Sequence, residues 1–149
     1  NAPGQIVLSG SVKAVERAIE IGKEKGVKRS ILLPVSAPFH CPLMTPAAKV
    51  ISKILAQVSL QLPMVPLVSN VTAAPERDLQ KIRKLLVEQV TSRVRWRESI
   101  LNMRALGVDT FVEVGVGKVL TGMIRRIDKN LTGFSIQSPD DIDAFACSI

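Results

Sequence analysis

The sequence has very few aromatic residues, with four Phe, one Trp and no Tyr among 149 residues. None of them alternates with basic residues, as a surface that stacks nucleic-acid bases would require. The formal net charge of +7 favours an acidic partner, but charge alone does not distinguish nucleic acid, membrane surfaces and acidic proteins. The shortage of aromatic residues therefore argues against nucleic-acid binding.

Cysteine and histidine are also scarce. Cys41 and Cys147 lie far apart in the chain, and His40 is the only histidine. The sequence therefore has neither the ligand spacing of a zinc site nor a disulfide framework. We predict no bound metal, no disulfide and a reducing, cytoplasmic environment.

Long apolar runs are missing as well. The longest, such as Ile31 to Val35 and Val65 to Val68, are far shorter than the roughly 20 residues that a membrane-spanning helix needs. The chain begins at Asn1 with neither an initiator Met nor a secretory signal, which predicts that it was cut from a longer protein. With 46% hydrophobic residues, it can still bury one sizeable core.

Strand and helix patterns alternate along the whole chain. Gln5 to Ser9 and Lys28 to Val35 are predicted as buried strands. Between them, a helix begins near Val12 and stops at Gly26. This order favours a βαβ unit, although a split version with an intervening strand is equally compatible. The later predicted elements are a helix capped by Thr45, strand Val65 to Ser69, helices Asp78 to Val90 and Arg97 to Leu106, strand Thr110 to Val114, helix Lys118 to Ile127, strand Phe134 to Ile136 and a helix from about Asp140.

His40 lies in a loop, Ser36 to Met44, whose two prolines prevent it from continuing a helix or a strand. A rigid loop between a buried strand and a capped helix commonly presents a reactive side chain. An isolated histidine is more often structural than catalytic, but this setting makes His40 the candidate for acid/base work.

Several segments, in the same order, resemble malonyl-CoA:acyl-carrier-protein transacylases and related polyketide acyltransferase domains, and together they span essentially the whole chain. They are Asn1 to Gln5 with Val7 to Gly10, Pro34 to Met44, Ser69 to Val71, Val94 to Trp96 and Glu113 to Gly122. Val116 departs from the family, which usually has proline between the two glycines. We expect this to alter the stiffness of the turn rather than the chemistry.

The resemblance implies an α/β fold that forms the C-terminal part of an acyltransferase. Residues 36–149 would belong to a large α/β-hydrolase-like domain, and residues 1–35 would be the remainder of a small ferredoxin-like subdomain. The family's serine nucleophile lies in a Gly-x-Ser-x-Gly segment, and no serine here has glycine at both positions. We therefore expect the missing N-terminal half of the same enzyme to carry the nucleophile and this chain to be inactive by itself.

The implied reaction, part of fatty acid biosynthesis, moves malonyl from CoA to the phosphopantetheine thiol of acyl-carrier protein through a serine ester, without a resident cofactor. His40 would be the general base and acid, and the main-chain carbonyl of Gln89 would orient it. Phe39, Asn70 and Asn1 match substrate-binding positions. Two alternatives stay open: a non-catalytic module that binds the carrier protein, and an acyltransferase domain of a polyketide synthase.

Overall fold

The computed structural model describes residues 1–147 and shows a mixed α/β chain, which confirms the predicted class. The described elements are α1 (Val12–Glu24), a 3₁₀ turn (Pro42–Met44), α2 (Thr45–Gln57), β1 (Leu67–Val68), β2 (Pro75–Glu76), α3 (Leu79–Glu88), α4 (Trp96–Ala105), β3 (Thr110–Val114), α5 (Thr121–Ile127), β4 (Thr132–Ile136) and α6 (Pro139–Ala146). They form two units, one made of residues 7–71 and 75–94, the other of residues 1–6, 72–74 and the chain from Arg95 onward.

The unit that contains His40 is built around the pair α2 and α3, which pack against each other. Helix α3 begins where Asp78 caps it, because the Asp78 carboxylate accepts a hydrogen bond from Lys81 N at 2.8 Å. Just before it, β1 and β2 form a short antiparallel pair with Leu67 opposite Glu76. Ile82 is the buried residue of α3, whereas α1 and α2 bury none of theirs.

Two strand predictions in this part of the sequence were wrong. The segments Gln5 to Ser9 and Lys28 to Val35 form no strand, and their apolar side chains are exposed, as Ile6 at 83% and Leu32 at 66% illustrate. A strand requires a neighbour to exchange main-chain hydrogen bonds. No other segment of the described residues pairs with these two, so the βαβ unit expected around α1 is absent.

The second unit is built on a parallel pair of strands joined by α5. β3 and β4 run in register from Thr110 opposite Thr132 to Val114 opposite Ile136. Beside them is a core of Ile100, Ile124 and Leu131, against which Trp96, Met103, Phe111 and Ile127 pack. The core therefore lies where α4 and α5 meet the Phe111 face of β3.

Glu113 fastens the loop that follows β3. Its carboxylate accepts hydrogen bonds from Thr121 N and Thr121 Oγ1, both at 2.7 Å, and from Leu120 N at 3.1 Å. These donors, the Thr121 amide first, hold the pKa of the Glu113 carboxyl below its usual value. Gly115 and Gly117 have φ of 134° and 105°, conformations that only glycine adopts without strain.

The remaining predicted elements occur where the sequence places them, with shifted ends, whereas β2 was not predicted. α5 begins at Thr121 rather than Lys118, and β1 covers only part of the predicted Val65 to Ser69. Thr45 is the first residue of α2 rather than its cap, since Met44 occupies that position. The Thr45 hydroxyl instead donates to Pro42 O at 2.6 Å, the same carbonyl of the 3₁₀ turn that accepts from Thr45 N.

Candidate active site

His40 lies between Pro38 and the 3₁₀ turn, in a left-handed backbone conformation with φ of 61°. A residue with a Cβ seldom adopts this region, and such residues gather at functional sites. The buried Cys41 thiol donates to Pro38 O at 3.1 Å, which closes the turn around His40. The imidazole is exposed.

The imidazole is held by the end of α3. His40 Nδ1 lies 2.9 Å from the main-chain carbonyl oxygen of Gln89, the residue that caps the helix. Carbonyls in the last turn of a helix have no partner within it, so they are open to outside donors. A carbonyl can only accept, so Nδ1 carries the proton in this hydrogen bond. Nε2 then keeps its lone pair and is able to take a proton from a substrate group or a nucleophile.

The side chain of Gln89 lies at the same place. Its amide nitrogen Nε2 is 3.4 Å from His40 Nδ1 and donates to Ser92 O at 3.2 Å. Sequence reasoning assigned only the main chain of Gln89 and gave its side chain no part. The Cys41 thiol was likewise considered only as a metal or disulfide residue. The contact between Gln89 and His40 has no local sequence signal, since the two residues are 49 positions apart.

The other predicted site residues are less closely grouped. Phe39 adjoins His40 in the chain and is 47% exposed. Asn70 lies in the turn after β1, in the same unit as His40, where Val71 N donates to the Ser69 hydroxyl at 3.2 Å. Asn1 belongs to the other unit. Thus the structure brings together His40 and Gln89, places Phe39 beside them by sequence, and leaves the roles of Asn70 and Asn1 as predictions.

No group of three or more His, Cys, Asp and Glu side chains that could hold a metal ion occurs in residues 1–147. Over the same residues, none of the helices is both long and apolar enough to cross a membrane. At His40, the imidazole has Nδ1 held by a neutral acceptor, the main-chain carbonyl of Gln89.

Comparison with known proteins shows which proteins this chain is similar to. The chain is 43% identical to the malonyl CoA-acyl carrier protein transacylase of Bacillus subtilis over 143 residues, which is 96% of this chain and 45% of that protein. The chain is a homologue of malonyl CoA-acyl carrier protein transacylases. It is also similar to the crystal structure of the malonyl-CoA:acyl carrier protein transacylase of Xanthomonas oryzae, with a TM-score of 0.93 and 38% identity over 99% of this chain and 47% of that one.

The chain spans about half the length of these transacylases. A second similar structure holds a malonyl-transacylase in complex with its type II PKS acyl-carrier protein, with a TM-score of 0.85 and 37% identity over 93% of this chain and 45% of that one. No protein-family model matches the chain.

Proposed function

We propose that this chain provides the histidine-bearing part of an enzyme that transfers malonyl from CoA to the thiol of an acyl-carrier protein. The observation that carries the proposal is the 2.9 Å contact between His40 Nδ1 and Gln89 O, which leaves Nε2 as a base. The similarity to malonyl CoA-acyl carrier protein transacylases over nearly the whole chain supports the substrate class. The serine nucleophile would come from a partner segment that corresponds to the other half of those relatives.

In this mechanism, the first half-reaction loads the serine. His40 Nε2 accepts the serine hydroxyl proton while the serine oxygen attacks the thioester carbonyl of malonyl-CoA. The carbon–sulfur bond then breaks, the imidazolium returns the proton to the leaving thiolate, and malonyl-serine remains with free CoA. The carbonyl of Gln89 accepts from Nδ1–H throughout, so the positive charge on the ring is stabilised without a carboxylate.

The second half-reaction unloads the serine. Nε2 takes the proton of the phosphopantetheine thiol, and the resulting thiolate attacks the malonyl-serine ester. When the ester bond breaks, the proton goes to the serine oxygen, and malonyl remains on the carrier protein. The proton that the carrier-protein thiol gives up balances the one that CoA gained in the first half-reaction, and no step changes an oxidation state, so the reaction needs no resident cofactor.

We assign the two carriers of malonyl as the partners of the chain. The net charge of +7 would attract the phosphates of CoA and an acidic carrier protein. The complex of a similar malonyl-transacylase with its acyl-carrier protein supports a protein partner of this kind. Free thiols at Cys41 and Cys147 agree with a reducing compartment, and we place the reaction in the cytoplasm.

In the intact enzyme, we place residues 36–149 in a large α/β-hydrolase-like domain and residues 1–35 in a small ferredoxin-like subdomain. The exposed apolar side chains of the segments 6–8 and 31–35 support this division, because they offer strand-like stretches that lack a partner among the described residues. Pairing of these stretches with the partner segment would bury them.

The test is to assemble the active enzyme and remove the base. The N-terminal half of the Bacillus subtilis relative is produced together with this chain, and malonyl transfer from malonyl-CoA to holo acyl-carrier protein is followed by mass spectrometry. We expect His40→Ala to lower the rate by on the order of a thousandfold, since general-base catalysis at a nucleophile contributes about that much. Lys53→Ala, on the exposed surface of α2, is the matched control and should keep the rate.

Near-normal turnover of His40→Ala would overturn the assignment. Carrier-protein binding without any malonyl transfer by the assembled wild-type protein would instead support a non-catalytic binding module.

A further inference from the structure

The turn that presents His40 has a backbone conformation that histidine seldom adopts. Phe39 and His40 are the central residues of this turn between Pro38 and Cys41, and His40 has the positive φ of 61°. Turns with a positive φ at the third residue usually have glycine or asparagine there, because a Cβ is crowded in that conformation. His40 therefore keeps this backbone only where its neighbours hold the turn.

Cys41 is bonded on both sides of its place in the chain. Its thiol donates to Pro38 O at 3.1 Å, which connects the fourth residue of the turn to the first. Its main-chain carbonyl accepts from Met44 N at 3.0 Å, at the start of the 3₁₀ turn. Cys41 thus ties the turn that contains His40 to the regular structure that follows it.

Burial strengthens the hydrogen bond of the Cys41 thiol. Cys41 is 8% exposed, whereas residues 39–40 and 42–43 on either side of it are exposed. A thiol is a weak donor, and at an exposed position water would compete with it for the carbonyl. Away from water the same bond is electrostatically stronger. Cys41 is therefore the anchor of an otherwise exposed stretch of chain.

The backbone conformation of His40 decides where its ring lies. Nδ1 reaches Gln89 O at 2.9 Å, and these two residues are 49 positions apart in the chain. A change of φ from positive to negative rotates the Cβ of His40 relative to the preceding chain, and the ring turns with it. The contact with Gln89 therefore depends on the turn that Cys41 closes.

We propose that Cys41 is a positioning residue for His40. Through the bond from its thiol to Pro38 O, it keeps His40 in the left-handed conformation that places the imidazole at the Gln89 carbonyl. The consequence for catalysis rests on the proposed function, whereas the backbone conformation of His40 is a property of this chain that can be measured without activity.

NMR of the full chain, labelled with ¹³C and ¹⁵N at histidine, tests the proposal. Since His40 is the only histidine, the backbone signals belong to one residue. The coupling between its amide and Hα protons, together with its Cα and Cβ shifts, gives the ratio of positive-φ to negative-φ conformations. Cys41→Ala removes the donor from a buried position, and we expect this ratio to fall by roughly three- to tenfold, the effect of losing one neutral hydrogen bond.

Two variants serve as controls. Cys41→Ser keeps a donor at the same place and should keep the wild-type ratio, and so should Cys147→Ala, which removes the exposed thiol. Circular dichroism shows whether each variant is folded, and Cys41→Val, which also lacks a donor, replaces Cys41→Ala if the latter is not. The proposal is overturned by a wild-type ratio in the folded variant without a donor, or by an equal fall in either control.

The assembled enzyme separates this proposal from the proposed function. In Cys41→Ala, kcat for malonyl transfer should fall in proportion to the remaining positive-φ fraction, with little change in KM for malonyl-CoA, because the buried Cys41 acts through His40. Cys41→Ser should restore kcat. If the conformation of His40 changes but the assembled wild type transfers no malonyl, the positioning role stands and the proposed function fails. If the wild type transfers malonyl and kcat of Cys41→Ala does not follow the positive-φ fraction, the positioning role fails and the proposed function stands.

Discussion

Phe39 lies beside His40 in the sequence, and it gives the most specific prediction about the acyl group that the enzyme accepts. Its ring is half exposed and immediately precedes His40. In related polyketide acyltransferases, Phe at this place accompanies malonyl and Ser accompanies methylmalonyl. We propose that the physical reason is volume, because a ring next to the acyl α-carbon would leave no room for another methyl group.

We therefore expect Phe39→Ser, in the assembled enzyme, to raise methylmalonyl transfer relative to malonyl transfer by about ten- to two-hundredfold, the usual value of one methyl group in a packed site. The measurement is the ratio of kcat/KM for the two CoA esters. Phe39→Leu keeps most of the apolar bulk and serves as the control. An unchanged ratio in a folded Phe39→Ser enzyme would mean that the ring packs under the loop without contacting the substrate.

At the scale of the element, helix α3 is capped at its start by a residue that stabilises it and ends at the residue that contacts His40. Asp78 caps its first turn, and Gln89 lies at its other end. Asp78→Ala removes the bond to Lys81 N and should lower the free energy of unfolding by about 1 kcal/mol. Urea denaturation followed by circular dichroism gives this value.

Ser11 is the matched control, because it occupies the cap of α1 without a capping hydrogen bond from its side chain. Ser11→Ala should therefore lower the free energy of unfolding clearly less than Asp78→Ala does. Equal costs for the two variants would contradict the role given to Asp78.

Elements defined by local chemistry could be predicted from the sequence. Asp78 before α3, and the glycines at 26 and 107 with φ of 82° and 94°, mark helix ends by properties of single residues. Strands were harder, because pairing is not local. The apolar run at 31–35 matches a strand by pattern, yet without a neighbouring strand it stays unpaired. The strand Pro75–Glu76 had no sequence signal.

The candidate site divides in the same way. The resemblance pointed to His40 and to the main chain of Gln89, and the structure joins these two by a hydrogen bond. The side-chain contact of Gln89 with Ser92 could not be foreseen, because an amide can turn either of its ends toward a partner and only the folded turn decides which. The roles of these residues in catalysis stay predictions.

For the whole molecule, carboxylates that accept main-chain hydrogen bonds make stability depend on pH, and Glu113 and Asp141 are two of them. The main-chain N–H and the hydroxyl of Thr121 hold the pKa of Glu113 below its usual value. The main-chain N–H of Gln137 and the hydroxyl of Ser138 do the same to the pKa of Asp141. In the unfolded chain these groups return to their ordinary values of 4.5 and 3.8. Their contribution to stability is thus complete above those values and is lost as the pH falls through the lowered folded ones.

Glu113→Gln should lower the melting temperature at pH 7 by a few degrees, since an amide oxygen replaces only part of the carboxylate's acceptors. The difference from the wild type should shrink as the pH falls below 4.5, because protonation of the wild-type carboxyl then favours the unfolded chain. Melting curves at pH 7, 5 and 3 test this, with Glu20→Gln on the exposed surface of α1 as the control. A difference that stays constant with pH would count against the role of the charge.

The division of the chain bears on its synthesis. All residues of the unit formed by 7–71 and 75–94 precede Arg95, whereas residues 1–6 and 72–74 belong with the chain from Arg95 onward. On the ribosome, these two early stretches must wait until β3, α5 and β4 have been made. The turn that holds His40 can therefore close while the rest of the protein is still being translated.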